Sequence, residues 1–302
     1  MTTDQIRPRR PQSPRRPRPL ERGIVSPLAY RRPRGRLGGA LVWLGLAAVL
    51  GLIAIGPIYW MLTSSFKDTQ ELLQTPPTWL PAVWHLDNYV TAWTVLELPR
   101  YILNTLVIAG GTVLTELVVA STAAYSLSVL RPRGGGVVFG AIIATLFIPA
   151  TIIFVPLFVT IRDLGLINNP LAIWLPAAAS AFNVFLLKRF FDQIPRELLD
   201  ASRIDGATRM QTLRLIVLPM SKPILSVVGI LALMASWKSF LWPMLVLPDP
   251  RLQPVSVMLA RIGEDVELKF LLAALVMSSI PVVVLFLIFQ RRIIDGLGYI
   301  QR

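Results

Sequence analysis

Hydrophobic residues in this chain are gathered into long uninterrupted runs, and polar positions fall between the runs. Six runs follow one another, near residues 38–62, 101–126, 136–160, 170–187, 223–247 and 270–290. Only two charged residues, Glu116 and Lys238, fall inside them. A helix of about 20 apolar residues crosses the hydrocarbon core of a bilayer and satisfies its own backbone hydrogen bonds there. The pattern therefore predicts an all-α membrane protein with six transmembrane helices.

Composition supports a membrane protein and excludes several kinds of site. The chain is 54% hydrophobic and has a mean hydropathy of +0.61, which is too apolar for an ordinary soluble domain. It has no cysteine and one histidine, His85, so neither a cysteine-ligated nor a histidine-rich metal centre is expected. There is no G-x4-G-K-[ST] motif, so the chain is not expected to bind ATP as a P-loop enzyme does. We expect no cofactor and no enzymatic activity.

Basic residues predict the orientation in the membrane. With the N-terminus inside, twenty-three of the 30 Lys and Arg residues lie on the inner side. Because Lys and Arg are enriched in cytoplasmic loops, both termini are predicted to be cytoplasmic. Trp60, Trp174 and Trp242 then fall at outer helix ends, where amphipathic rings are favoured.

The segments outside the apolar runs divide the chain further. Residues 1–37 hold eleven Arg and many Pro and are predicted to form a disordered basic cytoplasmic tail. This tail either contacts anionic membrane lipid or only reinforces the orientation; a nucleic-acid partner is not expected. Residues 63–100 form an extracytoplasmic loop and 291–302 a cytoplasmic tail. The transmembrane core, residues 101–290, contains a polar cytoplasmic loop at 190–222.

That loop has the pattern of two short helices joined by a turn. Pro195 suits the start of an amphipathic helix over 196–204. Gly206 suits a positive φ, and a second helix is predicted over 207–218, ended by Leu218 and Pro219. Such a knob fits a cleft on another protein. A DNA-reading helix-turn-helix and an amphipathic loop resting on the membrane are the alternatives.

The spacing D-A-S-x3-G-x9-I-x-L-P within this loop resembles the coupling loop of permease subunits of bacterial ATP-driven importers. The chain is similar, over roughly residues 38–298, to binding-protein-dependent carbohydrate importer permeases, in particular the second permease of maltose-type systems. Ser236–Pro243, SWKSFLWP, resembles that family's W-N-x-F-L-W-P stretch, and Phe289–Arg292 resembles its C-terminal end. The chain departs from the family at Ser202, where Ala is usual, at Lys238, where Asn is usual, and in its C-terminal tail.

The resemblance implies a type I ABC importer permease fold in the bacterial cell membrane, where the chain forms half of a sugar pathway. It implies a second permease subunit, as a heterodimer, two ATPase subunits that hydrolyse the ATP, and an extracytoplasmic sugar-binding protein. The implied ATPase-coupling residues are Glu197, Asp200, Ala201, Ser202, Asp205, Gly206, Ile216, Leu218 and Pro219. The alternatives are an importer of glycerol phosphate or another small polar solute, a secondary transporter, and a membrane enzyme.

Polar groups inside the apolar runs are candidates for the substrate path: Lys238, Asn183, Ser180 and Trp237. Each has a structural alternative. Lys238 could snorkel to the outer interface, and the two polar residues of the fourth run could join helices. Glu116 is expected to make a helix–helix contact. Four prolines are expected to kink helices and to leave backbone carbonyls for other partners: Pro149, Pro156, Pro176 and Pro281.

Overall fold

The computed structural model describes the backbone of residues 33–263 and 265–300. It describes the side chains of residues 41–149, 151–263, 265–285, 287 and 288. The chain divides into two units, Met1–Tyr59 and Trp60–Arg302. Residues 1–32 of the predicted basic tail lie outside the described residues. The first helix begins at Pro33, five residues before the predicted start of the first apolar span.

The described backbone consists of helices joined by turns and loops, and it contains no strand. Its α-helices are α1 (Pro33–Ser64), α2 (Thr69–Leu73), α3 (Asp87–Thr94), α4 (Leu98–Tyr125), α5 (Gly135–Ala144), α6 (Ala150–Asp163), α7 (Leu171–Ala178), α8 (Ala181–Phe191), α9 (Arg196–Ile204), α10 (Arg209–Thr212), α11 (Leu218–Met220), α12 (Lys222–Lys238), α13 (Leu241–Val246), α14 (Val255–Ile262) and α15 (Leu268–Ile300). Turns of π-helix follow α4 at Ser126–Leu130 and α10 at Leu213–Val217, and short 3-10 turns occur at Thr145–Phe147 and Pro250–Leu252.

Three helical segments are long and apolar enough to cross a membrane unbroken: Leu41–Ser64, Leu98–Leu130 and Leu268–Leu285. Three further spans arise only if each of three bent helix pairs is counted as one, which gives up to six. The pair α7 and α8 bends by 46°, and the segment Arg209–Met220 meets α12 at 82°. Several predicted spans are therefore broken helices, while the all-α membrane fold is confirmed.

The predicted uninterrupted span at 223–247 is wrong, because α12 ends at Lys238 and α13 begins at Leu241. Pro243 explains the break: its ring would clash with the carbonyl group four residues earlier, on Ser239. Ser239 is extended, with φ −65° and ψ 125°. Its carbonyl oxygen instead accepts a hydrogen bond from Ser256 Oγ at 2.7 Å.

Pro176 likewise frees a carbonyl group, and a tryptophan uses it. Four residues before Pro176, the carbonyl oxygen of Ala172 accepts a hydrogen bond from Trp242 Nε1 at 3.0 Å. Trp174 Nε1 donates to the carbonyl oxygen of Ile108 in α4 at 2.9 Å. The predicted position of Trp174 and Trp242 at outer helix ends stays a prediction, and the structure adds a role for their polar ends. Their indole N–H groups tie helices together within the protein.

Helix α4 is the centre of the second unit, and it packs against α7, α8 and α12. Close approach depends on Gly111: a Cβ atom added there would lie 2.1 Å from Cε2 of the Trp174 ring. A Cβ on the neighbouring Gly110 would meet nothing within 4 Å. The buried cluster at one end of α4 includes Ala120, Ala124 and Tyr125 and continues into the loop through Leu199.

The predicted extracytoplasmic loop, residues 63–100, is folded around two buried polar side chains. Lys67 is 1% exposed, donates to the carbonyl oxygen of Thr78 and lies 4.6 Å from the ring centroid of Trp60. Asn88 Nδ2 donates to the carbonyl oxygens of Ser65 and Lys67, both at 3.0 Å. At the other end of the chain, α15 continues to Ile300 rather than ending at the predicted boundary near 290.

Candidate functional site in the loop between α8 and α12

Helix α9 forms at the predicted position, Arg196–Ile204. Pro195 precedes it with φ −54° and ψ 130°, so the residue without an amide N–H stands where no intrahelical acceptor is needed. Gly206 follows with φ +76°, as predicted for a turn between two helices. The local signals of this segment therefore predict the bounds of α9 and the turn after it.

Helix α9 buries only a narrow face against the rest of the protein. Leu199 is 8% exposed and Ser202 is 4% exposed. An apolar stripe at a spacing of three residues, formed by Leu198, Ala201 and Ile204, stays exposed. Ile204 is 87% exposed, which is a high value for an isoleucine in a folded protein. The predicted coupling acids flank this stripe and are exposed as well, at Glu197, Asp200 and Asp205.

Ser202 differs from the other predicted coupling residues because it faces inward. Its Oγ donates to the carbonyl oxygen of Leu199 at 2.7 Å and lies 3.3 Å from Oγ1 of Thr212. The hydroxyl group therefore packs α9 against α10 and is not offered to another protein. A residue of this size is required because the two helices meet there.

The second half of the loop differs from the predicted helix over 207–218. Helix α10 begins at Arg209 behind a capping box formed by Thr208 and Gln211. A π turn follows, and Pro219 stands in the first turn of α11, where its missing N–H is tolerated. Leu218 and Pro219 therefore do not end the helix; the 82° bend comes at Ser221. Ile216 and Leu218 are half-buried, and Pro219 is exposed.

Two hydrogen bonds fasten the loop to the end of α4 and its π turn. Tyr125 donates through its hydroxyl group to the carbonyl oxygen of Arg209 at 3.0 Å. At the start of the loop, Asp192 accepts from Lys188 Nζ and from Ser128 Oγ, both at 2.7 Å. The bonds from Tyr125 and Ser128 join residues that are far apart in the sequence, so no sequence pattern predicts them. Only Lys188 and Asp192 have the i, i+4 spacing of a helical ion pair.

The charge of Asp192 is stabilised by these neighbours. Partial burial alone would raise the pKa of its carboxyl group. The hydrogen bonds from Lys188 and Ser128, together with the positive charges of Lys188 and Arg131, outweigh burial and hold the pKa below its ordinary value. Asp192 is therefore an anion under physiological conditions, and it links α8, the loop and the π turn after α4.

Two of the predicted path residues, Asn183 and Ser180, join helices in this structure. Asn183 Nδ2 donates to Glu116 Oε1 at 2.6 Å, and both side chains are buried. Ser180 caps α8, where its Oγ accepts from the backbone N–H of Asn183 at 3.4 Å. These groups connect α4 with α8 and do not line an open path in this conformation.

Lys238 and Trp237 lie beside a cavity instead. Trp237 is buried, whereas Lys238 is exposed at the end of α12. Both line a cavity of about 110 Å³ whose other walls come from α12 and α15. Within the described part of the chain, Lys238 forms no hydrogen bond or ion pair.

A second, larger cavity of about 820 Å³ runs along α12 between α4 and α15. Its lining is mainly apolar, and its polar groups include Lys222 and Ser226. The two cavities share Ile230, Leu233 and Leu285, so together they follow α12 from Lys222 to Lys238. Among the described residues, no group of three or more His, Cys, Asp or Glu is arranged to hold a metal ion.

Known proteins resemble this chain along most of its length. The model of the family "Binding-protein-dependent transport system inner membrane component" matches residues 116–298. The arabinooligosaccharides transport system permease protein of Halalkalibacterium halodurans is 33% identical, over 83% of this chain and 91% of that protein. The sn-glycerol-3-phosphate transport system permease protein of Salmonella typhi is 30% identical, over 82% of this chain and 92% of that protein.

A solved structure of a bacterial transporter also resembles this chain along most of its length. One chain of a bacterial ABC transporter involved in the import of the acidic polysaccharide alginate is 27% identical, with a TM-score of 0.78, over 86% of this chain and 98% of that chain. The matched family segment begins at Glu116 and includes the entire loop with α9 and Gly206. The chain belongs to the family of inner membrane components of binding-protein-dependent transport systems.

Proposed function

We propose that this chain is one of two permease subunits of an ATP-driven importer of carbohydrate in the bacterial cytoplasmic membrane. ATP is hydrolysed by two separate ATPase subunits, and an extracytoplasmic binding protein delivers the sugar. In this proposal both termini and the loop at 190–222 face the cytoplasm, which the enrichment of Lys and Arg on that side supports. The sugar class follows from relatives such as the arabinooligosaccharide permease.

The exposed stripe of α9 is the observation that carries this proposal. Leu198, Ala201 and Ile204 present an apolar edge on a helix whose opposite face is packed on α10. A helix that offers side chains at a spacing of three or four residues is suited to a groove on another protein. The ATPase subunit supplies that groove, and the flanking acids meet its rim.

The translocation path runs along α12. The cavities that follow this helix from Lys222 to Lys238 have one side formed by α4 and α15. A second permease subunit closes the other side. Alternating access then requires that ATP binding favours one conformation by several kcal/mol, which the ATPases transmit through α9.

The docking of α9 is tested with the complete complex in nanodiscs. Ile204→Ser removes the most exposed apolar side chain of the stripe, and Leu215→Ser is its matched control. Leu215 is 71% exposed and belongs to the same loop but lies outside α9. Loss of a well-packed contact of this kind costs about 2 kcal/mol, or roughly 30-fold in ATPase affinity. The affinity of the purified permease pair for the ATPase subunits measures it.

We expect the loss for Ile204→Ser alone, with normal insertion and normal thermal stability of both variants. An equal loss in both variants would place the contact on the whole loop rather than on α9. Normal affinity of the Ile204 variant would contradict docking through this helix.

An anionic substrate is the second candidate, and Lys238 favours it. A cation at membrane depth is expensive and commonly meets an anionic group in a cavity. Lys238 is exposed in an otherwise apolar cavity, and a glycerol-3-phosphate permease is among the relatives. The test compares transport of neutral and of acidic or phosphorylated sugars by Lys238→Gln and Lys238→Arg.

A selective loss of anionic substrates in the Gln variant, restored by Arg, would support an anionic cargo. An equal effect on every substrate, or none, would contradict it and leave neutral sugars as the cargo class.

A further inference from the structure

The geometry points to a binding site for the phosphate head group of an anionic phospholipid, in the groove between the start of α5 and the end of α8. No residue that lines this groove belongs to α9 or to the cavities along α12, and Arg131 and Asp192 also line a neighbouring pocket beside α9. This inference rests on the proposed function in one respect only: the proposed orientation decides which leaflet of the membrane supplies the lipid. Its occupant is a structural lipid such as phosphatidylglycerol, which has one negative charge and two acyl chains.

The groove has a volume of about 370 Å³ and opens at the end of two spanning segments. Arg131, Lys188 and Asp192 line it together with Phe139 and apolar or glycine residues. Asp192 is already engaged by Lys188 and Ser128. The single carboxylate of the groove is therefore neutralised within the protein and does not repel an anion.

Two further arginines, Arg133 and Arg189, do not line the groove but each directly follows a lining residue in the sequence, and both are exposed. Neither they nor Arg131 form an ion pair with a carboxylate in the part of the chain that the structure describes. Four cations thus stand against one carboxylate. A phosphate diester supplies the missing negative charge and accepts several hydrogen bonds from guanidinium groups.

A pair of stacked aromatic rings holds two of these cations in place. Phe139 of α5 and Phe185 of α8 stack with centroids 6.3 Å apart and an interplanar angle of 10°. Lys188 Nζ lies 5.0 Å from the centroid of Phe139, and Arg189 Cζ lies 5.4 Å from that of Phe185. Cation–π contacts of this kind restrict where the charged ends point. Lys188 Nζ uses one of its three donors on Asp192, and no side-chain hydrogen bond of Arg189 is present among the described residues.

The surface next to the cations is apolar and exposed, as acyl chains require. On α8, Phe182, Phe185 and Arg189 follow one another at spacings of three and four residues and so share one face. Phe182 is 49% exposed, and on α5 Val138 is 54% exposed. This face changes from apolar to cationic toward the end of the span, which matches the change from acyl chain to head group. A soluble anion needs the charges and gains nothing from the apolar face.

A membrane-facing basic groove fits lipid better than an ATPase contact or a substrate. Basic pockets between spanning helices on the cytoplasmic side are typical places for anionic head groups, since the inner leaflet carries most of the anionic lipid. The sugar path proposed above follows α12, which does not line this groove.

The experiment measures lipid retained by the purified complex with native mass spectrometry, after extraction from membranes that contain phosphatidylglycerol and phosphatidylcholine. It compares wild type with Arg189→Gln, Arg189→Lys and the control Arg214→Gln. Arg214 is also exposed on the inner side but belongs to the loop, away from the groove. The readout requires no transport, so its failure is distinguishable from failure of the proposed function.

We expect wild type to retain phosphatidylglycerol in preference to phosphatidylcholine. Arg189→Gln should lower the retained phosphatidylglycerol about fivefold, as expected for one arginine near an anionic surface. Arg189→Lys and Arg214→Gln should retain it nearly as wild type does. Excess inorganic phosphate should not displace it, because the acyl chains contribute to binding.

Three results would overturn the assignment. The first is equal retention of both lipids by wild type. The second is an equal loss in Arg189→Gln and Arg214→Gln, which would show only a general attraction to positive charge. The third is displacement by inorganic phosphate, which would show a simple anion site.

Discussion

The contact between α4 and the pair α7–α8 holds polar side chains that are hydrogen-bonded within the protein, whereas α9 leaves an apolar stripe exposed. In the first region, Glu116 meets Asn183, and Trp174 gives its N–H to Ile108. In the second region, the apolar stripe of α9 is exposed and is not covered by other described residues of the second unit. Both regions are helical.

This difference distinguishes contacts that stabilise the fold from a surface that is available to a partner subunit. Polar groups inside the α4–α8 contact are costly unless paired, so their pairing stabilises the fold. Exposed apolar side chains at regular spacing on a short helix add nothing to the fold, and they mark a surface for a partner. Substitutions in the first region should change stability, and substitutions in the second should change coupling.

The largest effect on stability is expected for Gly111→Val. The added side chain would overlap the Trp174 ring, since the Cβ alone would lie 2.1 Å from it. Overpacking of this kind costs about 1–3 kcal/mol, and displacing the ring also breaks its hydrogen bond to Ile108. Gly110→Val is the control, because a Cβ there meets nothing within 4 Å. The thermal midpoint of the detergent-solubilised complex should fall for Gly111→Val only.

A smaller loss is expected when the polar contact between α4 and α8 is removed. Glu116→Ala leaves Asn183 Nδ2 without its acceptor, and we expect a loss of about 1 kcal/mol, as for other interhelical hydrogen bonds in membranes. Glu116→Gln keeps an acceptor and should lose less. A double-mutant cycle with Asn183→Ala measures the coupling; additive effects would show that the pair does not join the two helices.

Asp192 lies where the two regions meet, and its contribution should depend on pH. Its folded-state pKa lies below the ordinary value of 3.8, so its stabilisation is complete above pH 3.8 and is lost as pH falls through the lower folded-state pKa. Asp192→Asn should cost up to about 1 kcal/mol near neutral pH. Thermal midpoints of wild type and variant should converge in strong acid. A constant difference at every pH would show that the charge is unimportant.

The smallest effect on stability is expected for Leu198→Ser, in the exposed stripe of α9. Leu198 is 43% exposed, so its truncation should change the free energy of unfolding by less than about 0.5 kcal/mol. Its neighbour Leu199 is 8% exposed, and Leu199→Ser should destabilise the protein clearly. The pair compares adjacent leucines of one helix, one exposed and one buried. Equal destabilisation would mean that the stripe belongs to the core.

Local chemistry was predictable from the sequence, and long-range contacts were not. The bounds of α9 and the positive φ of Gly206 follow from Pro195, the apolar spacing and a glycine, all within one short segment. The ties from Tyr125 to the Arg209 carbonyl and from Ser128 to Asp192 join residues far apart in the chain, and no periodicity indicates them.

The kinks expected at four prolines are only partly present: Pro149 stands immediately before α6, whereas Pro156 and Pro281 lie inside the continuous helices α6 and α15. Pro176 frees the Ala172 carbonyl for Trp242, as expected for a proline in a spanning helix. Pro243 lies within the fifth apolar run, and the break at Ser239 stands four residues before it. Hydropathy identifies an apolar run that is long enough to span a membrane. It does not show whether that run forms one helix or two.

The central claim, that the loop at 190–222 couples ATP hydrolysis to import, is tested most directly at Gly206. The measurement is ATPase activity of the complete complex in nanodiscs, with and without sugar-loaded binding protein, for wild type, Gly206→Pro and Gly206→Asn. Proline is incompatible with φ +76° and removes the N–H that binds the Arg203 carbonyl, whereas asparagine tolerates this backbone. We predict that stimulation is lost in the assembled proline variant and kept in the asparagine variant. Unchanged stimulation in Gly206→Pro would contradict the account.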